Sequence, residues 1–141
     1  MSIFDRFGNL IFDLRAGVSG CDHLRLEAID LSLADLPRAS FVGADLYWVT
    51  FFEADLSSGD FSHAIMRGVD FKGADCRHAN FSGARFLPDA LGLPCELQAT
   101  NMAHARLDGV EIVSATYDKA TRWPSSFDPG QHNGLRQVIG I

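Results

Sequence analysis

Apolar residues recur in this chain every five positions, a period that neither a helix, at about 3.6 residues per turn, nor a strand, at about two, can produce. Reading from Leu26, the series runs Leu26, Leu31, Leu36, Phe41, Leu46, Phe51, Leu56, Phe61, Met66, Phe71, Cys76, Phe81 and Phe86, and all thirteen are apolar. Two residues before each lies a small or apolar residue, from Leu24 and Ile29 to Ala79 and Ala84, and eight of these thirteen are alanine. The position between the two is polar in twelve cases, with Ile65 the exception. The unit is therefore small, polar, large, followed by two variable residues, as in Ala44-Asp45-Leu46.

In an extended segment, residues two apart point to the same side. The next small residue comes three positions later, which puts it on the wrong side of a straight strand. A bend in each variable pair returns it to the interior. Bends of constant sense every five residues wind the chain into a coil whose large side chains stack along its axis. Gly43, Gly68, Gly73 and Gly83 fall at those bends, where a positive φ is often required.

The string from Ala34-Asp35-Leu36 to Ala84-Arg85-Phe86 resembles the pentapeptide-repeat family, whose consensus is A-(D/N)-L-X-X. The resemblance covers roughly residues 24 to 122. It implies an all-β fold, a right-handed quadrilateral parallel β-helix with twenty residues per coil and short N- and C-terminal caps. Four-sidedness and hand come from the resemblance, since the spacing establishes only one bend per unit.

The solenoid is expected over residues 19–122, with one interruption. Phe86 and Leu97 are eleven residues apart rather than ten, and Cys95-Glu96-Leu97 restarts the pattern in a shifted phase. Leu91 is a candidate for the missing centre, beside Asp89 as a poor inward partner. Leu87 to Pro94 reads as a bulged corner or short outward loop near 87–95. Counting Leu91 gives nineteen centres and between four and five coils.

Both ends of such a coil need covering, because each exposes an unpaired strand edge and a slice of core. Residues 1–18 are the N-terminal cap, a helix or a short strand. Ile3, Phe4, Phe7, Leu10, Ile11 and Leu14 lie at helical spacing, and Leu10-Ile11-Phe12 suits a strand. Its charges cancel, which favours a lid over a membrane anchor. Residues 123–141 form the C-terminal cap tail. Trp123-Pro124 and Phe127-Asp128-Pro129 resemble the tails that follow the repeats in bacterial members of the family.

Composition excludes several functions. A net charge of −6 does not suit a phosphate-backbone binder, so no direct nucleic-acid binding is expected. No apolar run approaches a membrane span, no basic leader precedes an apolar stretch, and the three cysteines leave an odd thiol. The chain reads as soluble and cytoplasmic. No nucleophile elbow, zinc-protease motif, P-loop or dinucleotide fingerprint is present, and a phenylalanine-filled axis leaves little room for a cofactor. We expect no enzyme activity, no cofactor and no metal. His63 and His104, which the register brings towards each other, are only two ligands. Cys76 and Cys95 fall on inward positions and read as buried, inert thiols.

Aspartate outnumbers glutamate 14 to 4. Between Asp22 and Asp118 there are fifteen acids against seven bases. Stacking by twenty puts Asp35, Asp55, Asp75 and Glu96 in one ladder, the candidate acidic partner face. Asp30, Asp70 and Glu111 share a second face around Thr50, and Arg25, Asp45, Arg85 and Arg106 a third. Short Asp and Asn side chains can instead bond the corner backbone, which explains the aspartates without a partner. Tyr47, Trp48 and Phe52 turn outward around one corner as a candidate aromatic patch, with Leu33 one coil away. The patch is either an interface or lies beneath the N-terminal lid or the Leu87 to Pro94 loop. The expected function is a non-enzymatic protein-interaction module, a monomer or a homodimer through a capped end. Some family members, fluoroquinolone-resistance proteins among them, bind type II topoisomerases as DNA mimics. The resemblance therefore also implies, as the alternative, a DNA-mimic modulator of an enzyme such as gyrase.

Overall fold

The computed structural model describes residues 2–4, 10–13 and 21–139. The elements are β1 (Ser2–Phe4), β2 (Leu10–Asp13), β3 (Arg25–Glu27), β4 (Asp45–Tyr47), β5 (Ile65–Arg67), β6 (Arg85–Leu87), β7 (Cys95–Glu96), β8 (Glu111–Ile112), β9 (Ala115–Tyr117) and β10 (Leu135–Gln137). A single 3-10 turn at Pro129–Gln131 is the one helical element among the described residues. All ladders from β3 onward are parallel.

Each five-residue unit closes a tight turn. The Ala44 N–H donates to the Phe41 carbonyl at 3.0 Å, and Gly43 between them has φ +63°. Gly68, Gly73 and Gly83 also take positive φ, as the spacing requires. Non-glycine residues occupy the same left-handed position in other units, among them His23, Leu33, Trp48, Ser58 and His78. That conformation costs about 1–2 kcal/mol for an L-residue. It is repaid by the next coil: Leu33 N–H donates to Phe52 C=O at 2.8 Å, and His63 N–H to Ser82 C=O at 2.9 Å.

Four units make one coil, so residues twenty apart stack on four faces. The first face is the sheet β3-β4-β5-β6-β8. The second carries Asp30, Thr50, Asp70 and Glu96 and continues through β9 into β10. The third stacks Asp35, Asp55, Asp75, Asn101 and Arg122, and the fourth Ser40, Asp60, Asn80 and Arg106. The result is an all-β solenoid of about 6 turns. The second face has six layers, more than the four to five coils expected, because β10 in the tail adds one.

The axis is filled by phenylalanine. Phe41, Phe61 and Phe81 stack at 4.9 and 5.0 Å, and Phe51 and Phe71 stack beside them at 5.2 Å. Neighbouring rings of the two columns meet edge to face, the favourable arrangement for aromatic quadrupoles. Towards the C-terminal end Leu107, Ile112 and Tyr117 are only partly buried, and Trp123 and Phe127 pack against the same cluster. Tyr117, Trp123, Phe127 and His132 form a chain of ring contacts, with centroids 5.6, 4.8 and 4.6 Å apart.

Three expectations are corrected. The helical alternative for the N-terminal cap gives way to the strand one in the described residues 2–4 and 10–13: β1 and β2 pair antiparallel, with Ser2 opposite Asp13 and a bulge between Ile3 and Phe4. The side chains of the N-terminal lid and the links at 5–9 and 14–20 lie outside the described residues. Leu91 is not a missing centre but is 77% exposed, while Asp89 turns inward and is 8% exposed. The excursion therefore removes six residues from the winding, and Glu96 follows Arg85 on the next face. As a result Glu96 stacks on Asp70, Glu111 on Arg85 and Arg106 on Asn80, each one face away from the expected column.

Phe61 packs against rings both above and below it. Replacing it by alanine should cost about 3–5 kcal/mol and lower the midpoint of thermal unfolding markedly. Circular dichroism melting against wild type checks this.

Candidate functional site

The outward positions of the coil carry the polar chemistry, and aspartate there serves the turn first. Oδ1 of Asp55 accepts the Ser57 backbone N–H at 3.0 Å, and that of Asp60 the Ser62 N–H at 2.9 Å. Asp30, Asp70, Asp75, Asn80 and Asn101 make the same bond two residues on. A carboxylate or amide on a short stem reaches that N–H, which explains the preference for Asp and Asn over Glu.

Asp35, Asp55 and Asp75 stack as neighbours on the third face. Glu96 does not join them, for the reason given above, and Asn101 and Arg122 complete the column. Arg77 forms two hydrogen bonds to Asp75, at 2.9 and 2.7 Å, and holds its carboxyl below the usual range. On the second face burial lifts the Asp70 carboxyl above its ordinary value, against the opposing pull of Lys72. The Lys72 ammonium bridges Asp70 and Glu96 at 3.7 and 3.2 Å. The first face alternates sign, with Arg25 and Arg67 each 3.8 Å from Asp45 and Arg85 2.8 Å from Glu111. Such exposed pairs contribute about 0–1 kcal/mol each and mainly cancel the local field.

Charge is unevenly distributed along the axis. Residues 21–60 hold eight acids against two bases, whereas residues 61–139 hold eight of each. The net −6 of the whole chain thus belongs to the first two described coils. No lysine or arginine occurs between Arg38 and Arg67.

The candidate aromatic patch divides in two. Tyr47 and Trp48 are in ring contact at 4.5 Å and hold the 87–94 excursion. The Trp48 indole N–H donates to Asp89 Oδ2 at 2.7 Å, and Tyr47 Oη accepts the Ala90 N–H at 3.0 Å. The Trp48 bond holds the Asp89 carboxyl below its ordinary range, helped by backbone N–H groups of Leu91 and Leu93. Phe52 lies at the following corner, 40% exposed, against Leu33 of the preceding coil at 69%. The backbone bond from Leu33 to Phe52 makes these two, rather than Leu33 and Trp48, neighbours between adjacent coils.

Other sequence-predicted groups also have defined places. His63 lies against Gly83, not His104. His104 stacks on His78 instead, with centroids 4.9 Å apart, since the six-residue excursion moves it by one column. Cys76 and Cys95 are fully buried, and burial raises both thiols, that of Cys95 to about 11. Among the described residues no group of three His, Cys, Asp or Glu is placed to hold a metal ion. No helix of the described residues is long and apolar enough to cross a membrane.

A four-sided parallel solenoid of five-residue units, with alanine and phenylalanine inside and Asx-bonded turns, defines the class of this protein. The sequence profile of pentapeptide repeats matches residues 51–86 with eight copies, so this stretch of the chain carries pentapeptide repeats. The chain is similar to the crystal structure of a pentapeptide repeat protein from Nostoc Pcc 7120, with 27% identity and a TM-score of 0.55. That match covers 81% of this chain and 84% of the other. A pentapeptide repeat protein of the Arabidopsis thaliana thylakoid lumen is 25% identical over 78% of this chain and 72% of its own, with a TM-score of 0.35. QnrB1, a plasmid-mediated fluoroquinolone resistance protein, is 16% identical over 81% of this chain and 80% of its own, with a TM-score of 0.30. No curated protein matches the sequence.

Two outcomes test these local roles. Asp55→Asn preserves the acceptor and should leave stability within about 0.5 kcal/mol, whereas Asp55→Ala loses the turn bond and should cost about 0.5–1.5 kcal/mol. Chemical denaturation of the two variants distinguishes them. Trp48→Phe removes the donor to Asp89 and should speed hydrogen exchange and proteolytic nicking within 87–94. Because the Asp89 pKa is depressed, the wild-type latch should hold at neutral pH and loosen only as pH falls through that lowered value.

Proposed function

We propose that this protein is a non-enzymatic interaction module of the cytoplasm, a rigid acidic solenoid that binds a protein partner through its outer surface. The observation that carries this reading is the concentration of the net −6 in residues 21–60. The adjoining coils interleave bases with their acids, so the solenoid presents one strongly acidic segment beside a neutral one. The Asx turns account for aspartate as a residue type. They do not account for the lack of any compensating base between Arg38 and Arg67, because Asn supplies the same acceptor without charge, as at Asn80 and Asn101. A field of one sign on a rigid body steers and orients a basic partner.

The alternative, a DNA-mimic modulator of a type II topoisomerase such as gyrase, needs a long row of carboxylates. Duplex DNA carries one charge per about 1.7 Å of axis. The third-face column offers three carboxylates at a strand spacing of about 4.8 Å and then runs into Asn101 and Arg122. That sparseness favours the general interaction module over the mimic.

The test uses the same chemistry. A variant carrying Asp35→Asn, Asp55→Asn and Asp60→Asn removes three charges while keeping the turn acceptors at 55 and 60; Asp35 has Pro37 two residues on and no N–H there to accept. The variant should melt close to wild type and lose salt-sensitive capture of proteins that wild type retains. Unchanged capture at unchanged stability would exclude the acidic segment as the contact. A supercoiling assay with purified gyrase decides the alternative: inhibition or protection at micromolar protein would establish the mimic in its place.

A further inference from the structure

Leu33 and Phe52 form an apolar corner with no structural task among the described residues. Leu33 sits at a left-handed position, φ +62°, and is the one branched aliphatic residue among the left-handed positions of the described residues. Its side chain is 69% exposed and that of Phe52 40%, and the two residues are joined by the 2.8 Å backbone bond between adjacent coils. By contrast Trp48, exposed to a similar degree, has a defined task in holding the 87–94 excursion through Asp89. Two apolar side chains are thus held outward at one corner, that of Leu33 at a backbone cost.

The surroundings of that corner are acidic on both sides. Asp30 and Asp35 flank Leu33 along its coil, and Glu53 and Asp55 follow Phe52 along the next. Asp35 and Glu53 belong to no ion pair among the described residues, and Lys72, the base stacked one coil above Phe52, is held by Asp70 and Glu96. A second copy of this chain does not fit here, since it would bring two segments of charge −6 together. A nucleic acid backbone or an anionic membrane is repelled by the same field.

We infer that the Leu33–Phe52 corner is a docking site for an extended peptide segment of a partner, in which an apolar side chain is flanked by arginine or lysine. The apolar side chain covers Leu33 and Phe52, and the basic side chains reach the carboxylates on either side. An extended segment points alternate side chains the same way at about 7 Å intervals, so a run alternating in character presents one apolar row with cations alongside. The inference rests on the interaction-module reading above and assigns its acidic segment a contact point and a partner chemistry.

Fluorescence anisotropy of labelled synthetic peptides against the full chain tests it. Three probes are used: an alternating Arg-Leu nonapeptide, an alternating Lys-Ser nonapeptide and an alternating Glu-Leu nonapeptide. The Arg-Leu probe should bind most tightly, the Lys-Ser probe weakly, and the Glu-Leu probe not at all. Phe52→Ser and Leu33→Gly should each weaken Arg-Leu binding about tenfold or more. Leu33→Gly suits the positive φ and so preserves the turn. Leu91→Ser, exposed but in the 87–94 excursion, should leave binding unchanged. Equal binding of the Arg-Leu and Lys-Ser probes, or unchanged affinity in both corner variants, overturns the site. If the corner variants bind normally while the triple Asp→Asn variant does not, the acidic interaction module stands and only this corner is wrong. If none of the variants alters binding, both readings fall.

Discussion

The backbone hydrogen bond from one coil to the next at each corner is the constraint on which this structure depends. The left-handed residue of a unit donates its N–H to the carbonyl of the residue nineteen positions on, as His23 does to Val42 and Arg38 to Ser57. The large inward residue does the same, with Phe41 bonding to Asp60 and Phe61 to Asn80. Once these bonds form, equivalent positions must lie directly above one another. Phenylalanine then stacks on phenylalanine, Arg25 faces Asp45, and the ring of His63 rests on Gly83. The repeat thus converts a choice at one sequence position into an interaction between coils.

This constraint also explains which features were legible in the sequence. The five-residue period, the inward phenylalanines and alanines, and the glycines at 43, 68, 73 and 83 each follow from one unit alone. Local chemistry decides them. The course of residues 87–94 does not follow in this way. Eleven residues between Phe86 and Leu97 accommodate either a unit with one extra residue or a complete excursion, and Leu91 suits the first. The second is realised because Asp89 receives the indole N–H of Trp48, forty-one residues earlier, and the backbone N–H groups of Leu91 and Leu93. Pro88, without an N–H, cannot continue the ladder. The deciding partner is distant in the chain, so the phase beyond it, and with it the place of Glu96, His104 and Arg106, was out of reach of pattern reading.

The same shift of phase changes the electrostatics. With Glu96 on the third face, the acids read as a four-step ladder running much of the solenoid. With Glu96 beside Asp70 and tied to Lys72, the C-terminal coils become a mosaic of pairs, and the uncompensated charge contracts to residues 21–60. Aspartate abundance on its own was a poor guide, since the Asx turn uses Asp and Asn alike. Where the column has Asp rather than Asn, and no base nearby, the charge is in excess of what the turn requires.

The two outward aromatic corners of the second coil illustrate how exposure and use separate. Trp48 and Phe52 are exposed to nearly equal degrees, 43% and 40%, and sequence reading grouped them with Tyr47. Their polar handles divide them. Indole N–H and phenol oxygen give Trp48 and Tyr47 partners in the excursion, so their rings brace a part of the protein that the coil-to-coil ladder does not hold. Phe52 has no such handle, and its neighbour Leu33 adds apolar surface in a conformation that glycine would adopt at lower cost. Within one rigid coil, the corner that carries hydrogen bonds serves the fold, and the corner that carries only apolar surface among carboxylates has no such task among the described residues.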